Sequence, residues 1–257
     1  MKKATPTFEQ ILLSFQYAFD LRTVFEDFLT MAMCALTQNP QTGKSHYEDL
    51  YMETIAKYAT HKLRFEFPNL FAYLISEMEG RVYGNNGNDV LGEFYENHLY
   101  RKGMQQYFTP WPICAFMAKA AVGKTIESHP DQPLRILEPA CGSGRMLLAA
   151  NKEIGPRHEY YAVDMDITCV KMAALNFFLN GMFHSEVMCG NFLMPDEFNI
   201  SYKLSFLPLG IFRIEKKEDS TLWQMLNHSL HGKTRAPTED EKTNPNLFKD
   251  PTQLKFF

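Results

Sequence analysis

The stretch ILEPACGSGRMLLAA, residues 136–150, constrains the fold of this chain more than any other. A short apolar run ends at an acidic residue, turns through Gly142 and Gly144, and continues with helix-forming residues. Glycine tolerates the backbone angles of a tight turn and lets a ligand approach the main chain. The helix that follows presents free backbone N–H groups and the positive end of its dipole. The stretch therefore predicts a strand, a turn and a helix, with a ligand site at the turn.

Apolar runs alternate with helical patterns on both sides of this turn from about residue 107 onward. Strands are predicted at 135–137, 160–163 and 186–189, with a helix at 170–179, and residues 204–212 are apolar and strand-like. Such alternation predicts a parallel sheet with helices on both faces. The first hundred residues instead place apolar side chains at helical spacing and predict helices whose apolar faces form the core.

The sequence therefore divides into three predicted regions. We expect a helical N-terminal region at 1–105, an α/β domain at 106–232 and an irregular polar tail at 233–257. Only 66 residues follow Asn191, and each further strand–helix unit takes roughly 30 residues. The sheet is therefore expected to be shortened on its C-terminal side.

Composition excludes several classes of protein. Hydrophobic residues make up 45% of the chain, which is enough for a globular core, and the net charge of −4 does not by itself indicate DNA binding. The five Cys form no CxxC pair, which predicts neither a disulfide framework nor a metal site and favours the cytoplasm. His228 and His231 are interpreted as a solvated pair, and no apolar run is long enough to predict a membrane span.

The acid before the turn helps to choose among ligands. A dinucleotide site would follow the pattern GxGxxG, but Leu147 stands where the third glycine belongs. Glu138 would repel a pyrophosphate and would suit a ligand that carries an ammonium group. S-adenosylmethionine (SAM) has such a group, together with a sulfonium, a ribose diol and an adenine.

The ends of the next two predicted strands suit the rest of that ligand. Asp164 lies 22 residues beyond Gly142, close to the spacing of the acid that binds ribose in a Rossmann unit. Met165 and Phe192 can supply apolar contacts to the adenine, and Asn191 can supply a hydrogen bond. These residues together predict a SAM site.

Four motifs also resemble a known family, in the family's order and between about residues 85 and 195. The segment EPACGSG at 138–144 is similar to the cofactor-binding motif of adenine-specific DNA methyltransferases, and most resembles that of the modification subunit of type I restriction-modification systems. Upstream, DVLGEFYENHL at 89–99 and QYFTP at 106–110 resemble the helix and loop that precede this motif. Downstream, AVDMDI at 162–167 and GNFL at 190–193 resemble the ribose and adenine contacts.

The resemblance implies an α/β fold with a Rossmann-like, SAM-dependent methyltransferase sheet. It also implies SAM as cofactor, DNA as substrate, methyl transfer to the exocyclic amino group of adenine, and a partner subunit that assists DNA binding. Cys141 is implied to be a small buried residue, not a nucleophile. The residues assigned to the cofactor are Phe108, Thr109 and Pro110 at the methionine end, Glu138, Ala140 and Gly142 at the ammonium and turn, Asp164 at the ribose, and Met165, Asn191 and Phe192 at the adenine.

The family's catalytic motif is not found where it is expected. Members carry Asn/Asp-Pro-Pro-Tyr/Phe at the end of the fourth strand, whereas this chain has Leu207-Pro208-Leu209-Gly210 at 16 residues after Asn191. Leu207 cannot accept a hydrogen bond from the adenine amine, so the catalytic residues are left unassigned. The segment NPNLF at 244–248 lacks the second proline and is predicted to be a polar loop. A catalytically inactive SAM-binding or regulatory protein, and a methyltransferase for another substrate, therefore stay open as alternatives.

The last five residues suggest a separate interaction. QLKFF, spanning Gln253 to Phe257, resembles short bacterial peptides that bind the replication sliding clamp. Extended terminal peptides with apolar anchors suit such grooves. The alternative is a tail that packs on its own domain.

Overall fold

A computed structural model describes residues 6–37, 39, 41–82, 87–100, 107–128, 133–231 and 254–256. The N-terminal region is helical, as predicted, with α1 at Phe8–Leu13, α2 at Leu21–Leu36, α3 at Glu48–Ala56, α4 at Glu66–Val82 and α5 at Val90–Phe94. Thr7 caps α1 and exchanges hydrogen bonds with Gln10 in a capping box. Asp20 accepts the Thr23 N–H and so caps α2.

The second part of the chain alternates helices and strands. Its elements are α6 at Trp111–Ser128, β1 at Arg135–Glu138, α7 at Arg145–Ile154, β2 at Glu159–Asp164, α8 at Ile167–Leu179, β3 at Ser185–Asn191, β4 at Met194–Phe206, β5 at Leu209–Ile214, α9 at Thr221–His231 and β6 at Leu254–Phe256. In the described ranges these strands form one sheet in the order β5-β4-β3-β2-β1-β6. Strands β1, β2, β3 and β6 run parallel, which confirms the predicted α/β class.

Both faces of β1, β2 and β3 are buried, so the central residues of these strands are mostly apolar. One face packs on α7, α8 and the N-terminal helices, and Ile136, Tyr160 and Val187 lie in that core. The other face packs on α9 through Leu222, Met225 and Leu226. The buried carboxylate of Glu186 accepts hydrogen bonds from the Thr221 and Leu222 N–H groups, so it fixes the start of α9 against β3.

Strand β4 runs in the opposite direction to the one that we expected. Asn191 pairs with Met194 across a two-residue turn, so β4 returns antiparallel to β3, and β5 then pairs antiparallel with β4. The predicted single strand at 204–212 is therefore a hairpin, whose turn is formed by Leu207 and Pro208 between the paired Phe206 and Leu209. This turn lies at the edge of the sheet where the parallel strands begin.

Strand β6 lies beside β1, on the side away from β2, and its residues Leu254 and Phe256 pair in parallel with Arg135 and Leu137. The sheet order therefore reverses at β1, and the crossing helices change face there, since α7 and α8 lie on one face and α9 on the other. We expected no strand in 233–257. The sequence did not predict this strand because three residues are too few to show a periodic pattern, and the strand forms only by pairing with β1.

The structure contains no helix, within the described ranges, that is long and apolar enough to cross a bilayer. The predicted boundary between residues 105 and 106 falls within 101–106, outside the described residues, and stays a prediction. All of 233–253, including the NPNLF segment, lies outside them as well.

Candidate functional site

The glycine turn connects β1 to α7 at the edge where the parallel strands end. Gly142 and Gly144 have φ angles of +53° and +85°, which L-residues with side chains rarely adopt. A Cβ on Gly144 would collide with the ring of Phe177, so this glycine lets the turn approach α8 closely. A Cβ on Gly142 would lie 3.3 Å from the Phe108 ring. The turn is therefore a bare backbone surface that faces an aromatic side chain.

Asp164 joins the end of β2 to this turn. One carboxylate oxygen accepts the Gly142 N–H at 2.8 Å, and the other accepts the Asp166 N–H at 2.9 Å. Burial raises the pKa of Asp164, and these backbone donors oppose that rise. Each carboxylate oxygen can accept a second hydrogen bond, so Asp164 can still bind hydroxyl groups at the edge of the sheet.

Glu138, at the end of β1, carries a buried oxygen that is not satisfied by the described residues. Its Oε2 atom has no hydrogen-bond partner among them. Burial raises the pKa of Glu138 to about 7, and the charge of nearby Asp164 adds to the rise, whereas the Ala140 N–H opposes it. A buried carboxylate oxygen without a partner is costly. An ammonium group placed here would satisfy the oxygen and lower the pKa.

The loop before α6 is held against the turn by Arg145. The Arg145 guanidinium donates to the Thr109 carbonyl at 3.2 Å and lies 5.6 Å from the centre of the Phe108 ring. The Cys114 thiol also donates to the Thr109 carbonyl, at 3.3 Å. Pro110 is exposed and precedes the first residue of α6. Phe108, Thr109 and Pro110 are therefore positioned beside the glycine turn by a cation that the sequence analysis did not single out.

Arg145 is in turn held by Asp89, which the sequence analysis also missed as a site residue. Asp89 is only 2% exposed and accepts hydrogen bonds from Arg145 Nε at 2.8 Å, Ser143 Oγ at 2.5 Å, the Gly92 N–H at 2.9 Å and Asn176 Nδ2 at 2.8 Å. These partners come from α5, the glycine turn, α7 and α8. Asp89 thus connects the helical region to the site. The sequence carries only the signal of a helix cap at this position.

The predicted adenine contacts lie at the ends of β2 and β3. Met165 follows β2 and is 71% exposed. Phe192 is half-buried and packs against the core under α9. The Asn191 oxygen accepts the Leu193 N–H at 3.0 Å, and its amide nitrogen donates to Glu197 at 3.0 Å. Asn191 therefore retains one acceptor lone pair for a ligand.

Two further predicted site features have clear outcomes. Leu207-Pro208-Leu209-Gly210 forms the β4–β5 turn and the start of β5, at the opposite edge of the sheet from Glu138, so its interpretation as a degenerate catalytic motif was wrong. The 16-residue offset was misread because β4 turns back immediately after β3. Cys141 is buried, and burial raises the pKa of its thiol well above the usual value, as suits an inert residue.

Other predicted sites lie away from this edge or outside the described residues. Residues 254–256 form a strand within the sheet, so docking of a free terminal peptide on a sliding clamp is not supported. The described residues contain no group of three or more His, Cys, Asp or Glu side chains that could hold a metal ion. The side chain of His231 is outside the described set.

Comparison with solved structures finds similar but distant chains. The type I restriction-modification methyltransferase subunit from Streptococcus thermophilus is 14% identical, with 70% of this chain and 56% of that chain covered and a TM-score of 0.33. A putative class I SAM-dependent methyltransferase from Listeria monocytogenes is 15% identical, with 67% of this chain and 49% of that chain covered and a TM-score of 0.34. A modification subunit of a putative type I restriction enzyme from Vibrio vulnificus is 17% identical, with 63% of this chain and 34% of that chain covered and a TM-score of 0.35.

The matched region spans from about a third to just over half of the length of these proteins. No match to a protein of curated function was found. A family model described as N-6 DNA Methylase matches residues 86–208, which include the helix that starts at Val90, the loop at Phe108 and the ends of β1, β2 and β3. Through this segment, which is just under half of its length, the chain is similar to the N-6 DNA methylase family.

Proposed function

We propose that the chain binds SAM at the carboxyl ends of β1, β2 and β3. Glu138 would hold the ammonium group, and Asp164 would hold the ribose hydroxyls. The loop and strand-end residues would enclose the rest of the cofactor. Those residues are Phe108, Thr109 and Pro110 at the methionine end, Ala140 and Gly142 at the turn, and Met165, Asn191 and Phe192 at the adenine.

The partnerless buried oxygen of Glu138 is the observation that carries this proposal. A cationic group is the partner that a buried carboxylate needs, and the ammonium of SAM is such a group. The positive φ of Gly142 supports the same assignment, because without a Cβ the backbone of the turn is bare where it faces the Phe108 ring. Ligands of open α/β sheets bind outside the carboxyl ends of the strands where the strand order reverses, and here that point is beside β1.

We also propose that the methyl group is transferred to the N6 amine of adenine in DNA. The family described as N-6 DNA Methylase supports this substrate, and SAM when bound would supply the methyl group. The role of the chain's own residues would be to orient the cofactor and keep water from its methionine end. Since the net charge is −4, we propose that a partner subunit provides part of the DNA contacts.

Calorimetry with SAM tests the cofactor site. Wild-type protein should bind, and Glu138→Gln should bind at least about tenfold more weakly, because a hydrogen bond to a charged group is lost. Glu215→Gln is the matched control, since the Glu215 side chain is 70% exposed and far along the chain from the site. Equal affinity of wild-type protein and Glu138→Gln would contradict the assignment.

Methyl transfer tests the reaction. Unmethylated duplex DNA is incubated with SAM that carries a labelled methyl group, and the nucleosides are separated by mass spectrometry. The expected product is N6-methyladenine, in an amount that falls in Glu138→Gln. Label in cytosine, or in the protein instead of the DNA, would contradict the proposed substrate.

A further inference from the structure

A second cavity lies away from the candidate SAM site, between the N-terminal helices α2 and α3, the helix α8 and the β4–β5 hairpin. Its volume is about 480 Å³, within the range of small-molecule sites, and none of its lining residues belongs to the SAM site. Met33, Leu50, Ile200 and Ile211 form much of its apolar wall. The cavity is therefore large enough for a ligand with an apolar body.

Three cations line this cavity, and of these Lys57 is paired with Asp27, whereas Lys171 and Arg213 lack a buried acidic partner among the described residues. Lys171 donates to the neutral hydroxyl of Thr30 at 2.9 Å. Burial lowers the pKa of Lys171, the charges of Glu26 and Asp27 oppose this lowering, and the charge of Arg213 adds to it. The Nε atom of Arg213 contacts Glu215 at 3.3 Å, but Arg213 is partly exposed and Glu215 is largely exposed, so this ion pair is weak. An anion between Lys171 and Arg213 would relieve their repulsion.

The acids near Lys171 are already engaged elsewhere. Asp27 accepts from Lys57 at 2.8 Å and from the Tyr58 hydroxyl at 2.8 Å. Glu26 accepts from Thr168 Oγ1 at 3.1 Å and lies 3.8 Å from Arg22. Their charges are shared with other cations, so they only partly compensate Lys171.

A hydroxyl donor completes the polar side of the cavity. Tyr202 is 7% exposed and lines the cavity, and its hydroxyl has no hydrogen-bond partner among the described residues. Burial raises the pKa of Tyr202 to about 12, so the hydroxyl remains protonated and can donate. Lys171, Arg213 and Tyr202 are thus three donors in a cavity whose remaining lining is partly apolar and partly polar and includes the paired Lys57 and Asp27.

We propose that this cavity binds a small organic anion, with an apolar or aromatic body and one carboxylate or phosphate group held by Lys171, Arg213 and Tyr202. The apolar wall would contact the body of the ligand. The site is independent of the proposed SAM site and of the methyl transfer reaction.

Calorimetry on the full chain tests the cavity with benzoate and phenyl phosphate as probes and benzyl alcohol as the neutral comparison. We expect one or both anions to bind at millimolar concentration, and benzyl alcohol to bind at least tenfold more weakly. Arg213→Gln should weaken anion binding at least tenfold, because a charged hydrogen bond is lost. Arg213 is partly exposed, so this variant should fold, and Tyr202→Phe provides a second variant that keeps the cavity volume.

Lys203→Gln is the matched control, because Lys203 neighbours Tyr202 on β4 but is exposed on the other face of that strand. It should bind the probes as wild-type protein does. The proposal is overturned if neither anion binds, if Arg213→Gln and Tyr202→Phe both bind normally, or if duplex DNA binds through Arg213 while the small anions do not. SAM binding, measured in parallel, should be unchanged in all these variants, so its loss would be a separate result.

Discussion

Replacing Asp89 by Asn should destabilise the protein by about 3 kcal/mol, because breaking one partner of a buried ion pair typically costs this much. The Asn side chain would turn an N–H group towards Arg145, which can only donate hydrogen bonds. The guanidinium, only 10% exposed, would then lack the carboxylate of Asp89. Contacts of Arg145 with Glu96 and Thr109 would offset part of the loss. For a chain of this size the melting temperature should fall by about 6–12 °C.

Chemical denaturation of single and double variants measures this energy directly. Arg145→Met should also destabilise, but the double variant should be more stable than the sum of the two single changes by at least about 1 kcal/mol. Asp196→Asn is the control, since Asp196 forms an exposed ion pair with Lys217 and should cost less than about 1 kcal/mol. A cost below about 1 kcal/mol for Asp89→Asn, or strict additivity with Arg145→Met, would refute the reasoning.

Three further changes have defined outcomes. The affinity for SAM should fall about tenfold as the pH is lowered from about 8 to about 6, because Glu138, with a pKa of about 7, must be ionised to bind an ammonium group. In Glu138→Gln, the affinity measured by calorimetry should not change over this pH range. Gly144→Ala should lower the free energy of unfolding in urea by about 3 kcal/mol or more, because the added Cβ would collide with the Phe177 ring and the residue has a φ of +85°. An unchanged urea midpoint would contradict this packing. Thr37→Val should lower the free energy of unfolding by about 1–2 kcal/mol, because the Thr37 hydroxyl forms hydrogen bonds with both the N–H and the carbonyl of Ile211 in β5. Thermal unfolding equal to that of wild-type protein would show that water replaces these bonds.

The parts of the site that were predictable are those encoded by neighbours in the chain. A glycine turn after an apolar run can be recognised locally, because only glycine accepts the φ angles of Gly142 and Gly144. The ends of three parallel strands must lie along one edge of a sheet, so the sequence pattern is enough to place Glu138, Asp164 and Asn191 together.

The direction of β4 could not be predicted in the same way. A strand that follows β3 can return antiparallel through a tight turn or parallel through a helix, and the apolar pattern is compatible with both. The structure shows the first, which moves Leu207 to the far edge of the sheet, away from Glu138. The short strand Leu254–Phe256 was missed for a similar reason, since its pairing partner is β1.

The sequence by itself determined the α/β order, the turn and the carboxylates at the strand ends, because each depends on backbone preference and on apolar runs only a few residues long. Only the tertiary structure decided that Asp89 and Arg145, 56 residues apart, form one buried pair, and that an oxygen of Glu138 is left without a partner. Burial and long-range pairing set these features. They depend on which surfaces meet when the helices pack on the sheet, and no local pattern records that choice.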